Sequence, residues 1–307
     1  MQNRVSEAHM TWMLCAVCIL VTVANSTSSV SGTDLWSHIG HCTDATPEDI
    51  WNGHYYLLIT SVFLHANFTQ GFGIAHLAFN MIWLFRMGSV LEISIGTVYY
   101  FLFWVAAAAV SSCAELAVTG STGIGASGVV YAIFGMLWAG RGRYPEWGQW
   151  ANASNIRLFL GWGIFCLVMT DLHIMQVANW AHAGGLAFGY CVGAALLIPR
   201  QRWIAVGSLV ALLTMSAFSL TYMPWSANWT FWKGNKEFTA QNYTQAVSWY
   251  KKSLKLGVDP SAAWENIGSA WNNKAILDSQ KGDLNASTTD FQQEGLANGH
   301  IGQGLKP

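Results

Sequence analysis

Long apolar runs broken by short polar turns dominate the first two thirds of this chain. They predict seven helices, at roughly 9–24, 74–91, 97–118, 127–140, 156–171, 178–198 and 203–223. The first run follows Arg4 but lacks a small-x-small cleavage signature behind it, so it reads as a retained helix. One connection, about 25–73, is long. It carries Asp34, Asp44, Glu48 and Asp49, then an aromatic and apolar stretch from Tyr55 to Ala66. That stretch is too short to span a bilayer. It is expected to lie at or just below the interface, with Tyr55 and Tyr56 at headgroup level.

The fourth run differs from the others. From Ser127 to Ala139 it would rise only about 20 Å, against about 30 Å of hydrocarbon. A Gly-rich loop, Thr119 to Ala126, leads into it. If the run belongs to a membrane bundle, its first turn begins inside the membrane. Irregular backbone at that depth is tolerated only against protein or a water-filled cavity. Ser127 is therefore predicted at a helix N-terminus, at the bottom of a wet pocket, a setting that suits a nucleophile.

Composition agrees with a polytopic membrane protein: 52% of residues are hydrophobic and 10% charged. A net charge of −1 leaves no basic footprint for nucleic acid. All seven arginines (Arg4, Arg86, Arg141, Arg143, Arg157, Arg200 and Arg202) fall on one side of alternating helices, and the connections 25–73, 119–126 and 172–177 contain neither Lys nor Arg. This positive-inside pattern predicts a cytoplasmic N-terminus, an outward-facing Ser127 end and an external C-terminal segment. The six cysteines form no metal pattern, and no metal or cofactor is expected. Cys15-x-x-Cys18 sits within an apolar helix and reads as packing, while Cys42 and Cys113 could meet near the outer face.

Composition changes after residue 224, and all eight lysines lie between Lys233 and Lys306. Residues 231–260 resemble one tetratricopeptide repeat, with Gly234, Phe238, Tyr243, Ala246, Tyr250, Leu254, Leu256 and Pro260 at its small and large positions; 262–277 resemble the start of a second. Such a segment implies peptide binding or self-association. Residues 279–307, polar and Gly-rich, are expected to be disordered.

Three places carry candidate chemistry. Gly125-x-Ser127-Gly128 opens the fourth helix, although small residues there also serve packing. His182 lies within the sixth helix, where an imidazole is costly unless it has a function or a bonded partner. Gly185 and Gly189 beside it form a G-x-x-x-G that would admit the small face Gly128, Ala132 and Gly135, bringing Ser127 and His182 together. On the second helix His76 and Asn80 share a face, suited either to a developing oxyanion or to an interhelical hydrogen bond.

In this order and on helices two, four and six, these motifs resemble the rhomboid family of intramembrane serine proteases. Arg86 to Gly96, with Glu92 and Gly96, resembles that family's second inner loop. The similarity covers about 50–200. It implies a Ser–His dyad without an acidic third member: Ser127 as nucleophile, His182 as base and then acid. His76, Asn80 and the Ser127 N–H would hold the oxyanion. Tyr131 would pack on the histidine ring, or simply belong to the core. The Trp-Arg pair often found in the family's first outer loop is missing from Tyr55-Tyr56-Leu57-Leu58, which leaves the anchoring of that loop open. His65 is a candidate for a loop-stabilising hydrogen bond or a surface position.

The expected fold is thus all-α, a polytopic membrane bundle of a rhomboid-like six-helix core plus a seventh helix, with a small helical extramembrane segment. The divisions are 1–53 (N-terminal region and first helix), 54–200 (core), 201–224 (seventh helix), 225–278 (repeat-like segment) and 279–307 (tail). The leading function is a serine endopeptidase cleaving transmembrane proteins within the lipid bilayer near its outer face. The alternative is a catalytically silent relative that binds membrane clients. A transporter is disfavoured, since no inverted repeat or paired broken helices are evident.

Overall fold

The computed structural model describes residues 7–31, 40, 42–69 and 71–301. The apolar runs fold as α1 (His9–Ser31), α2 (Gly73–Ile95), α3 (Thr97–Thr119), α4 (Ser127–Gly140), α5 (Ala153–Asp171), α6 (Asn179–Leu197) and α7 (Arg202–Thr221). Six are long and apolar enough to cross a membrane, and α4 is the short one. The architecture is the all-helical membrane bundle that hydropathy predicts. Helix α1 runs past the expected end at residue 24. Its hydroxyls bond back into the helix, Thr22 to the Cys18 carbonyl at 2.8 Å and Thr27 to that of Val23 at 2.9 Å. The polar residues therefore do not terminate it.

Helix α4 is the axis of the bundle, with all but Ser127, Trp138 and Ala139 buried. Leu84, Met87 and Leu91 of α2, Tyr100 and Trp104 of α3, and its own Ile133 and Phe134 form the fully buried centre. Against α6 the contact is backbone on backbone. A methyl group at Gly185 would strike the Gly128 carbonyl, one at Gly189 the Ala132 carbonyl, and one at Gly135 the Leu186 carbonyl.

Glu92, near the end of α2 and 2% exposed, accepts from the Met10 and Thr11 amides at 3.0 and 2.8 Å and from the Thr97 hydroxyl at 3.0 Å. One carboxylate thus caps α1 and ties it to the α2–α3 turn. The long connection is anchored without an arginine. Its Trp51 indole donates to the Ser219 carbonyl of α7 at 3.0 Å, and Ser112 of α3 donates to the Leu58 carbonyl at 2.9 Å. Tyr55 and Tyr56 are about half exposed. Cys42 and Cys113 are both free thiols rather than a pair; Cys113 is buried on α3 while Cys42 is exposed.

The chain divides into two compact units, Met1–Thr221 and Tyr222–Pro307. The second contains α8 (Ala227–Thr239), α9 (Tyr243–Leu256), α10 (Pro260–Gln280) and α11 (Leu284–Ile301), each packed on the next. Its core gathers Ala246, Tyr250, Leu254, Trp264 and Ile267. The expectation of disorder after 279 is corrected by α11. Asp290 of α11 receives the Lys274 ammonium at 2.7 Å, Ala297 is buried, and Thr288 and Thr289 bond to their own helix's carbonyls. A polar sequence is thereby satisfied as a helix. Residues 302–307 of that expectation lie outside the described residues.

Candidate active site

Ser127 is the first residue of α4, following Ala126 and the turn at Gly125. Gly125 has φ +98, and a Cβ there would lie 2.9 Å from the His76 ring, so both conformation and space call for glycine. Two hydrogen bonds hold this turn. The Gly125 amide donates to the Ser61 carbonyl at 3.4 Å, and the Ala126 amide donates to His65 Nε2 at 3.3 Å. His65 is wholly buried, and its Nδ1 lies 3.2 Å from the Phe63 carbonyl. An imidazole that accepts at Nε2 and donates at Nδ1 is neutral. Burial, aided by the neighbouring His76, holds its pKa down to about 3 against the opposing Phe63 bond. Of the two expectations for His65, the loop-stabilising bond is the one present.

The first amides of a helix have no partner within it, so the α4 start presents donors and the positive end of its dipole beside Ser127. His182, 6% exposed on α6, brings Nε2 to 2.8 Å from the Ser127 hydroxyl oxygen. Its ring stacks on Tyr131, one turn along α4 from the serine, with centroids 4.6 Å apart and planes 15° from parallel. Tyr131 is fixed in turn: its hydroxyl donates to the Phe159 carbonyl of α5 at 2.8 Å, and Phe134 stacks on Phe159. His182 Nδ1 has no protein partner.

A cavity of about 1190 Å³ reaches this pair, and His76, Asn80, Ser127, Tyr131, Trp162 and His182 line it. Between α2 and α5 its wall carries rings, with Phe79 stacked on Trp162 at 5.3 Å and Trp162 on Phe165 at 5.3 Å. His76 borders the cavity 5.1 Å, ring to ring, from His65. Asn80 sits one turn further and is 1% exposed. Its amide donates to the His76 carbonyl of its own helix at 2.9 Å, and its Oδ1 is buried without a protein partner. In this state, then, one Asn80 donor is turned along the helix rather than toward Ser127.

The sequence motifs therefore converge on one cavity. One contributor lies outside those motifs. Glu115 of α3 is 5% exposed, and its Oε2 accepts from the Trp180 and Ala181 amides at 2.9 and 3.1 Å, immediately before His182. A carboxylate in the last turn of an apolar span was the available signal. Among the described residues, no three His, Cys, Asp or Glu side chains are grouped to hold a metal ion.

Residues 52–199 match the family model described as the rhomboid domain. The chain is also 28% identical over 183 residues to proteins named rhomboid protease GlpG from Salmonella choleraesuis (strain SC-B67), Salmonella newport (strain SL254) and Salmonella heidelberg (strain SL476). Each alignment covers 58% of this chain and 60% of the relative.

Proposed function

The chain is a multi-pass membrane protein that belongs to the rhomboid family through residues 52–199, and from that premise we propose that it is an intramembrane serine endopeptidase working through Ser127 and His182. The observation that carries this reading is the 2.8 Å contact between His182 Nε2 and the Ser127 hydroxyl oxygen at the edge of a cavity.

In the proposed reaction His182 takes the Ser127 proton as the oxygen attacks a peptide carbonyl. The tetrahedral oxyanion meets the Ser127 amide at the α4 start, His76, and Asn80 once its amide swings off the His76 carbonyl. The imidazolium then protonates the leaving amine. Water, deprotonated by the same ring, releases the acyl group. Tyr131 holds the imidazole plane in place of an acidic third residue. The substrates are transmembrane segments that unwind locally, because a helical carbonyl is shielded and already bonded. The charge pattern supports cleavage near the outer face, with the N-terminus cytoplasmic and the segment after α7 outside. That segment, with its repeat-like helices, is suited to holding peptides or a second copy.

The test is labelling by a fluorophosphonate and cleavage of a model membrane substrate in detergent. Both are expected in the native chain and absent from Ser127→Ala and His182→Ala. A folded native chain that takes up no label would favour the client-binding alternative.

A further inference from the structure

We propose that Glu115 is a positioning residue for His182, acting through the backbone of α6; the inference rests on the dyad assigned above. Helix α6 starts at Asn179, and no side chain of its own caps it. Its exposed amides would be expensive in a low-dielectric bundle. Glu115 reaches across from α3 and takes two of them, those of Trp180 and Ala181, on a single oxygen. The next residue is His182, whose own amide donates to Ala178 at 3.3 Å.

The first turn of α6 has little freedom otherwise. Gly184 lies against Ala114, the residue before Glu115, with no room for a methyl, and Gly185 lies against the Gly128 carbonyl. These contacts fix how near α6 comes to α3 and α4, but they leave sliding along its axis to be opposed. The carboxylate opposes it, since two charge-assisted bonds to consecutive amides set both height and rotation. The ring needs this support. Its Nδ1 has no protein partner, so no carboxylate orients the imidazole directly. Here the acid grips the backbone one residue away, and the ring's plane is left to Tyr131.

The experiment measures fluorophosphonate inactivation of the full chain per folded molecule, separating kinact from KI, for three variants. Glu115→Asp withdraws the carboxylate by one methylene, and a displacement near 1 Å is expected to lower kinact by about 10- to 100-fold with KI within about twofold. Glu115→Gln keeps an oxygen able to accept both amides, and kinact is expected to stay within about fivefold. Glu92→Asp shortens the carboxylate that caps α1, and it is expected to lower the melting temperature but not kinact. The proposal is overturned by native kinact in Glu115→Asp, by a Glu115→Gln that falls as far as Glu115→Asp, or by an equal fall in Glu92→Asp. If Glu115→Asp does not fold, Glu115→Gln decides, and a fall beyond tenfold overturns the proposal. A native chain that is not labelled at all overturns the dyad itself, a result distinct from native-like variants.

Discussion

At the scale of single residues, the stacked Tyr131–His182 pair separates two contributions of one side chain. The ring face touches the imidazole, while the hydroxyl bonds to Phe159 across the bundle. Tyr131→Phe keeps the face and should label within about threefold of the native rate, whereas Tyr131→Ala frees the imidazole and should lose about 10- to 100-fold. Equal losses would place the effect in the hydroxyl. His65 gives a prediction in pH. Its pKa is held to about 3 in the folded chain, below the ordinary 6.5. The contribution of this group to stability is therefore complete above about 6.5 and is lost as pH falls toward 3. His65→Gln retains an acceptor for the Ala126 amide without a titrating ring. A melting series from pH 7 to 4 should fall less steeply in this variant than in the native chain. The shared face of His76 and Asn80 was legible from their i, i+4 spacing, whereas Ser127 and His182 were singled out by the start of a short helix, an imidazole within a span and the resemblance to the rhomboid family. Glu115 was not, because its partners are amides, and no side-chain motif records a bond to the backbone.

Between elements, the decisive contact is that of α4 with α6, where carbonyls rest on glycine. The Gly-x-x-x-Gly pattern announced close approach, and hydropathy announced the short α4. What the pattern lacks is tolerance: Gly185→Ala introduces a methyl against the Gly128 carbonyl, one residue from the nucleophile. It should destabilise the bundle by about 1–3 kcal/mol and pull Ser127 away from His182. Thermal melting together with labelling checks this, and a native-like rate in Gly185→Ala would mean that the helices part without harm. Helix α11 shows the opposite failure of legibility. Its sequence is polar nearly all round, so periodicity is silent, and its fold comes from tertiary contacts such as Lys274 with Asp290. Lys274 also bonds Asp278 of its own helix at 2.8 Å; the Asp278 bond and then the Asp290 bond raise the Lys274 pKa, and the Lys274 bond lowers that of Asp278. Their support is fully present between the ordinary values of 3.8 and 10.5, and it is lost in acid as Asp278 protonates and in base as Lys274 discharges.

For the whole molecule, the hydrogen bonds described for the dyad, its loop and its two carboxylate caps each join two residues of Met1–Thr221. Removing 228–307 should therefore leave the labelling rate within about threefold of native, since none of those bonds involves a removed residue. A tenfold drop would show that the second unit supports the first. The same deletion should alter substrate choice or assembly size if the second unit recruits peptides or sister chains. Helix α4 also sets a ruler against the membrane. Its 14 residues rise about 21 Å, and Arg141 and Arg143 follow directly, so with about 30 Å of hydrocarbon Ser127 is recessed by about 9 Å from the opposite boundary. That gap corresponds to about six residues of a neighbouring helix. Under the proposed endopeptidase reading, a scissile bond would therefore meet the serine without vertical displacement when about six helical positions separate it from the end of its own hydrophobic segment. Lengthening or trimming that end by a few residues should move the cut by the same number.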